Sequence, residues 1–136
     1  MRIIAFLLVA ATIMLVAPGS GNHAAETKTL HGNFVWEGAG ESATGDLKSI
    51  FTGTGPGEWN VIFHFKYRGQ AHVYTGTAAG SLTAGALEGK VMNEDKQRNF
   101  TFTGSFEDGV FRGTHAEIGR GRKDRIEPTG TMTLEQ

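Results

Sequence analysis

Two ten-residue segments repeat one pattern, and that pattern limits the possible folds more than any other feature of the chain. Gly80-Ser81-Leu82-Thr83-Ala84-Gly85-Ala86-Leu87-Glu88-Gly89 and Gly104-Ser105-Phe106-Glu107-Asp108-Gly109-Val110-Phe111-Arg112-Gly113 both read G-S-[LF]-x-x-G-x-[LF]-x-G. In the second copy Asp108-Gly109 is a two-residue hairpin signal, because both central residues of such a turn need positive φ. A turn there sets Phe106 opposite Phe111 and Gly104 opposite Gly113. The same rule in the first copy sets Leu82 opposite Leu87 and Gly80 opposite Gly89. Directly opposed residues share a face, so each hairpin carries an apolar pair followed by a glycine pair on one side. Two copies are too few for a solenoid, and the repeat reads as two hairpins of one sheet.

A third hairpin follows from Arg68-Gly69. It sets Phe65 opposite His72, Phe63 opposite Tyr74, Val61 opposite Gly76 and Trp59 opposite Ala78. The face holding Trp59, Val61, Phe63, Phe65 and Tyr67 is the buried one. Asn60, His64 and Lys66 then face outward, and Ile62 breaks the alternation. Extended along the chain, this reading predicts about eight strands, at 28–37, 46–53, 58–67, 70–82, 86–92, 98–106, 110–118 and 128–135. No stretch keeps a helical period. An up-and-down meander of eight antiparallel strands with one apolar face closes into a barrel or folds as a β-sandwich. Closure is favoured because it removes unpaired edges and because eight strands enclose a fillable interior. Paired interior glycines fit sharp strand curvature.

Ahead of this domain the chain reads as a leader. Met1-Arg2 is followed by an apolar run from Ile3 to Ala17, interrupted only by Thr12, then Pro18-Gly19 and the small or polar residues Ser20 to Ala25. A basic start, a short apolar stretch and a small-residue tail describe a secretory signal. The run is shorter than the roughly 20 residues a spanning helix needs, so cleavage between Gly19 and Ala25 is expected rather than anchoring. The domains are then a signal peptide, 1–25, and a single all-β domain, 26–136, exported to a periplasmic or extracellular space.

Of the 13 Lys and Arg only Arg2 precedes residue 26, leaving 12 against 14 Asp and Glu. That balance argues against nucleic acid as a partner. Zero cysteines exclude disulfides, thiolate metal sites and a Cys nucleophile. The domain must be held by its core alone, which is feasible at this length.

The predicted inward apolar set is Phe34, Trp36, Leu47, Phe51, Trp59, Val61, Phe63, Phe65, Leu82, Leu87, Val91, Phe100, Phe102, Phe106, Phe111, Met132 and Leu134. Four polar residues fall on the same face: His72 and Tyr74 from the third hairpin, with His115 opposite Phe102 and Glu117 opposite Phe100. Buried polar groups need partners, and these four can partner one another or a ligand. The candidate ligand-binding residues are therefore His72, Tyr74, His115, Glu117, Trp36, Trp59, Phe63 and Phe102. A neutral His beside a carboxylate is also a candidate acid/base pair. No residue is assigned a catalytic role.

Other chemistries find less in the sequence. His115-x-Glu117 and His72-x-Tyr74 place side chains on one strand face but lack a third ligand at a telling spacing, so no metal is assigned. No G-x-S-x-G elbow and no phosphate-cradling loop before a helix is present, and no cofactor is implied. The basic stretch 119–125 reads as a solvated loop, with attraction to anionic lipid or polysaccharide as a secondary reading. Asn99-Phe100-Thr101 is a glycosylation sequon with Asn99 facing outward.

In strand pattern the meander resembles the calycin group, the lipocalins and avidins. Lipocalins carry G-x-W near the start of the first strand; here the region reads Gly32-Asn33-Phe34-Val35-Trp36, with Trp36 two positions further along. The lipocalins' closing Arg and avidin's set of tryptophans have no clear counterpart. The resemblance implies a barrel able to hold a pocket, and no particular ligand. Three readings remain open on sequence alone: an exported protein binding a small, partly apolar molecule, an envelope or secreted interaction module with a solid core, and a small barrel enzyme using His72, His115 or Glu117.

Overall fold

The structure is a computed structural model describing residues 26–38, 41–95, 98–118 and 129–136. The expected leader, the basic stretch 119–125 and the predicted start of the last strand at Pro128 lie outside the described residues. Eight strands follow one another: β1 (Thr27–Gly38), β2 (Glu41–Gly55), β3 (Glu58–Tyr67), β4 (Gln70–Gly80), β5 (Gly85–Asn93), β6 (Asn99–Glu107), β7 (Val110–Glu117) and β8 (Gly130–Glu135). Each pairs antiparallel with the next, and β8 returns to β1 from Trp36↔Gly130 to His31↔Glu135, closing the barrel. The sandwich alternative is thereby excluded. Among the described residues no helix is long and apolar enough to cross a membrane.

Two hairpins have the predicted register. Phe106 faces Phe111 and Gly104 faces Gly113. Phe65 faces His72, and Phe63 faces Tyr74. Both turn on a residue with φ of 51°, Asp108 or Arg68, followed by a glycine at positive φ. The first copy of the repeat differs. There Gly80 faces Leu87 and Ala78 faces Gly89, so the predicted pairs Leu82–Leu87 and Gly80–Gly89 do not form.

The cause is local. A tight turn at Ala84-Gly85 would hold Ala84 at positive φ, a cost that Arg68 bears in its own hairpin but that a competing turn built on Ser81 avoids here. Instead β4 ends at Gly80, whose φ is +129°, and Ser81–Ala84 forms a four-residue loop. Ser81 Oγ accepts hydrogen bonds from the amides of Thr83 and Ala84, each at 3.1 Å. This is a side-chain turn of the kind serine favours. Leu82 therefore leaves the sheet and folds inward, where it is 3 % exposed.

Leu82 lies at the end of the barrel where the β2–β3, β4–β5 and β6–β7 connections meet. That end is solid. Leu30, Phe51, Val61, Leu87, Phe111 and Leu134 are each at most 1 % exposed there, and burial of such side chains contributes about 1.5–3 kcal/mol apiece. β1 begins and β8 finishes at this same end, as an even-numbered meander requires. Among the described residues Ile62 is the large apolar side chain left outside.

Interior glycines serve as seats for rings. Phe34 faces Gly45 across β1 and β2, and Phe102 faces Gly89 across β6 and β5. A Cβ on either glycine would run into the facing phenyl ring. Omitting two side chains lets two phenylalanines lie flat against the wall, the pairing by which sheets use aromatic residues to cover glycine.

Candidate functional site

Toward the other end, where β1–β2, β3–β4, β5–β6 and β7–β8 connect, the interior is not filled. A cavity of about 110 Å³ lies there. That is several times the roughly 10–15 Å³ one water needs. Its deeper wall includes Phe34, Leu47, Phe63, Val91, Phe102 and Met132. Nearer the rim stand Trp36, Tyr67, His72 and Arg98, all half-buried. Contacts cross the interior between strands far apart in sequence. The Phe63 and Phe102 rings are 5.2 Å apart between centroids, and Tyr74 and Phe100 are 5.4 Å apart. Closure thus brings the third hairpin and the β6–β7 hairpin onto one space.

Six of the eight candidate residues line that cavity: Trp36, Phe63, His72, Tyr74, Phe102 and His115. Two do not. Trp59 shares the inward face but belongs to the solid end, where its indole N–H donates to the Gly80 carbonyl at 3.1 Å. Nine residues of β3 carry the chain from Trp59 to Tyr67, far enough to place them at opposite ends of the barrel. Glu117 stands beside the cavity and is held by Arg98. Arg98 Nε donates to Oε1 at 3.0 Å and Nη2 donates to Oε2 at 3.1 Å, a bidentate fork.

Two lining residues lie outside the inward face read from the sequence, Thr101 and the charged Arg98. The β5–β6 connection fixes its backbone, since the Arg98 amide donates to Asn93 Oδ1 and the Asn93 amide donates to the Arg98 carbonyl, both at 3.2 Å. Its guanidinium lies over two rings, 5.5 Å from the Trp36 centroid and 5.4 Å from that of Phe100. Glu117 raises its pKa, chiefly through the hydrogen bonds, and the group stays charged.

His115 is a brace. Its Nε2 is 3.0 Å from the Val35 carbonyl and so carries the proton donated to it. Nδ1 is 2.8 Å from Thr129 Oγ1, which is also 3.1 Å from the His115 carbonyl. The single hydroxyl proton is shared between those two acceptors. Burial pushes the His115 pKa below its ordinary value, against smaller opposing effects of the Val35 hydrogen bond and the Glu37 charge. The neutral ring stacks on Trp36 at 5.9 Å, 15° from parallel. With both nitrogens committed to protein atoms, and with both Glu117 oxygens committed to Arg98, the His–carboxylate acid/base pair considered from sequence does not assemble.

His72 and Tyr74 are different. His72 stacks on Phe65 at 5.3 Å, and neither it nor Tyr74 has a hydrogen-bond partner among the described residues. Burial pushes the Tyr74 pKa above its ordinary value; the Arg98 charge opposes this and the Glu117 charge adds to it. Tyr74 is therefore a neutral phenol at the cavity wall. Among the described residues no group of three or more His, Cys, Asp or Glu is placed to hold a metal ion.

These features define a closed eight-stranded meander barrel, packed solid at one end and hollow toward the other, with an aromatic wall and an Arg–Glu pair near its rim. Comparison with known protein families, with curated proteins and with solved structures finds no match.

Proposed function

We propose that the domain is an exported binding protein that holds a small, partly apolar molecule in the hollow end of the barrel. The cavity of about 110 Å³ among aromatic side chains carries this reading. A mostly apolar concavity with a few convergent polar groups is the usual form of a small-molecule site. Export rests on the leader-like residues 1–25, and a binding role needs no catalytic group. The interaction-module alternative, which supposes a solid core, finds support only in the opposite half of the barrel. The enzyme alternative loses its two strongest candidate residues to hydrogen bonds within the protein.

Native mass spectrometry of the protein purified from its own host tests the proposal. A retained small molecule is expected, and its release should change the emission of Trp36, which lines the cavity. Trp59→Phe leaves Trp36 as the one indole of the chain and makes the signal specific. Protein that carries no small molecule, and whose Trp36 emission and melting temperature stay constant across a panel of small aromatic and aliphatic compounds, would overturn it.

A further inference from the structure

If the cavity is a binding site, as proposed above, its polar groups restrict what it binds. Tyr74 is 5 % exposed, lines the cavity and has no hydrogen-bond partner among the described residues. Its hydroxyl is not sealed off: Ser49 Oγ is the one described side-chain atom buried without a partner, so the Tyr74 hydroxyl is open to a molecule in the cavity. As a neutral phenol, Tyr74 can donate one hydrogen bond to a ligand oxygen and accept another.

Charge narrows the choice. Arg98 lines the cavity, so a cation bound there lies near a like charge. An anion gains little, because Glu117 already holds that guanidinium through two hydrogen bonds and the remaining wall is largely apolar. The ligand that loses least on entry is uncharged.

Shape narrows it further. The wall rings meet at tilted angles, Phe65 to Tyr74 at 60° and Tyr74 to Phe100 at 45°, with centroids 5.2 and 5.4 Å apart. A further ring can continue this arrangement in the geometry aromatic pairs prefer. At about 110 Å³ the cavity has no room for more than one ring, since an apolar cavity of about 150 Å³ accepts a single benzene. We infer that the cavity takes an uncharged, single-ring aromatic molecule bearing a hydroxyl or carbonyl oxygen, with that oxygen hydrogen-bonded to Tyr74 and the ring held among Trp36, Phe65 and Phe100.

Calorimetric titration of the protein with four probes tests this: p-cresol, toluene, 4-methylbenzoate and 4-methylbenzylammonium. They share a tolyl frame and differ in one group. p-Cresol should bind about 3- to 10-fold more tightly than toluene, the range one neutral hydrogen bond supports, and more tightly than either ion. Tyr74→Phe should bring the p-cresol to toluene ratio to about one while leaving toluene binding in place, which also reports that the variant is folded. A second readout needs no variant: p-cresol, and not toluene, should shift the NMR resonance of the Tyr74 ring carbon that bears the hydroxyl. Binding without this order, a ratio that survives Tyr74→Phe, or an unmoved Tyr74 resonance would overturn the inference and leave the binding reading standing. No binding by any of the four would overturn the inference, and the binding reading would still be decided by the retained-molecule and panel test above.

Discussion

Ser49 is fully buried, and its Oγ has no hydrogen-bond partner among the described residues. It lies on β2 opposite Leu30 on one side and Phe63 on the other, in apolar surroundings. A buried unsatisfied hydroxyl costs about 1–3 kcal/mol, so Ser49→Ala should stabilise the domain by about 1 kcal/mol. Urea denaturation checks this, and a fall in the midpoint would mean that the hydroxyl is bonded after all. His115 makes the opposite case, a polar group fully matched. Its pKa is lowered on folding, so below the ordinary value of 6.5 the unfolded chain takes up the proton that the folded ring resists. Its contribution to stability is present above pH 6.5 and is lost as the pH falls from there through the folded-state value. Urea midpoints between pH 8 and pH 5 should fall in that window, and His115→Gln should start lower and remove that component of the slope. A variant with the same slope as the parent would place the titration elsewhere.

At the level of the element, turn chemistry separates the two repeats. Asp108-Gly109 and Arg68-Gly69 close on two residues and keep their strands in register to the tip. Ser81–Ala84 closes on four and turns Leu82 from a strand residue into a floor for the barrel. Leu82 should therefore behave as a core residue despite lying in a loop. Leu82→Ala is expected to cost about 2–5 kcal/mol, the range for buried leucines, read as a drop in denaturation midpoint. A loss under about 0.5 kcal/mol, ordinary for surface loops, would contradict its role as a plug. The same comparison shows what local sequence carries. Asp108 suits positive φ and Arg68 accepts it, each followed by a glycine, whereas the spacing at Ala84-Gly85 does not reveal that the Ser81 side chain will build a longer turn instead.

Across the whole molecule, the eight strands and their inward face were legible because period-two alternation and turn signals are short-range. Arg98 was legible in principle, since it lies two residues before Phe100 and so shares its face, just as Tyr67 follows Phe65. The partners of His115 were not. Val35 and Thr129 reach it only after β1, β7 and β8 have closed the barrel, and no spacing in the chain encodes that meeting. Nor could a list of inward residues reveal which half is hollow, because that depends on how facing side chains share volume after closure. The β1–β8 seam has one more consequence. Both ends of the folded chain leave from the plugged floor of the cup. A tag, linker or solid support joined directly ahead of β1 or behind β8 would hold the domain by its base and leave the cavity end facing outward, so it can be immobilised without obstructing its rim.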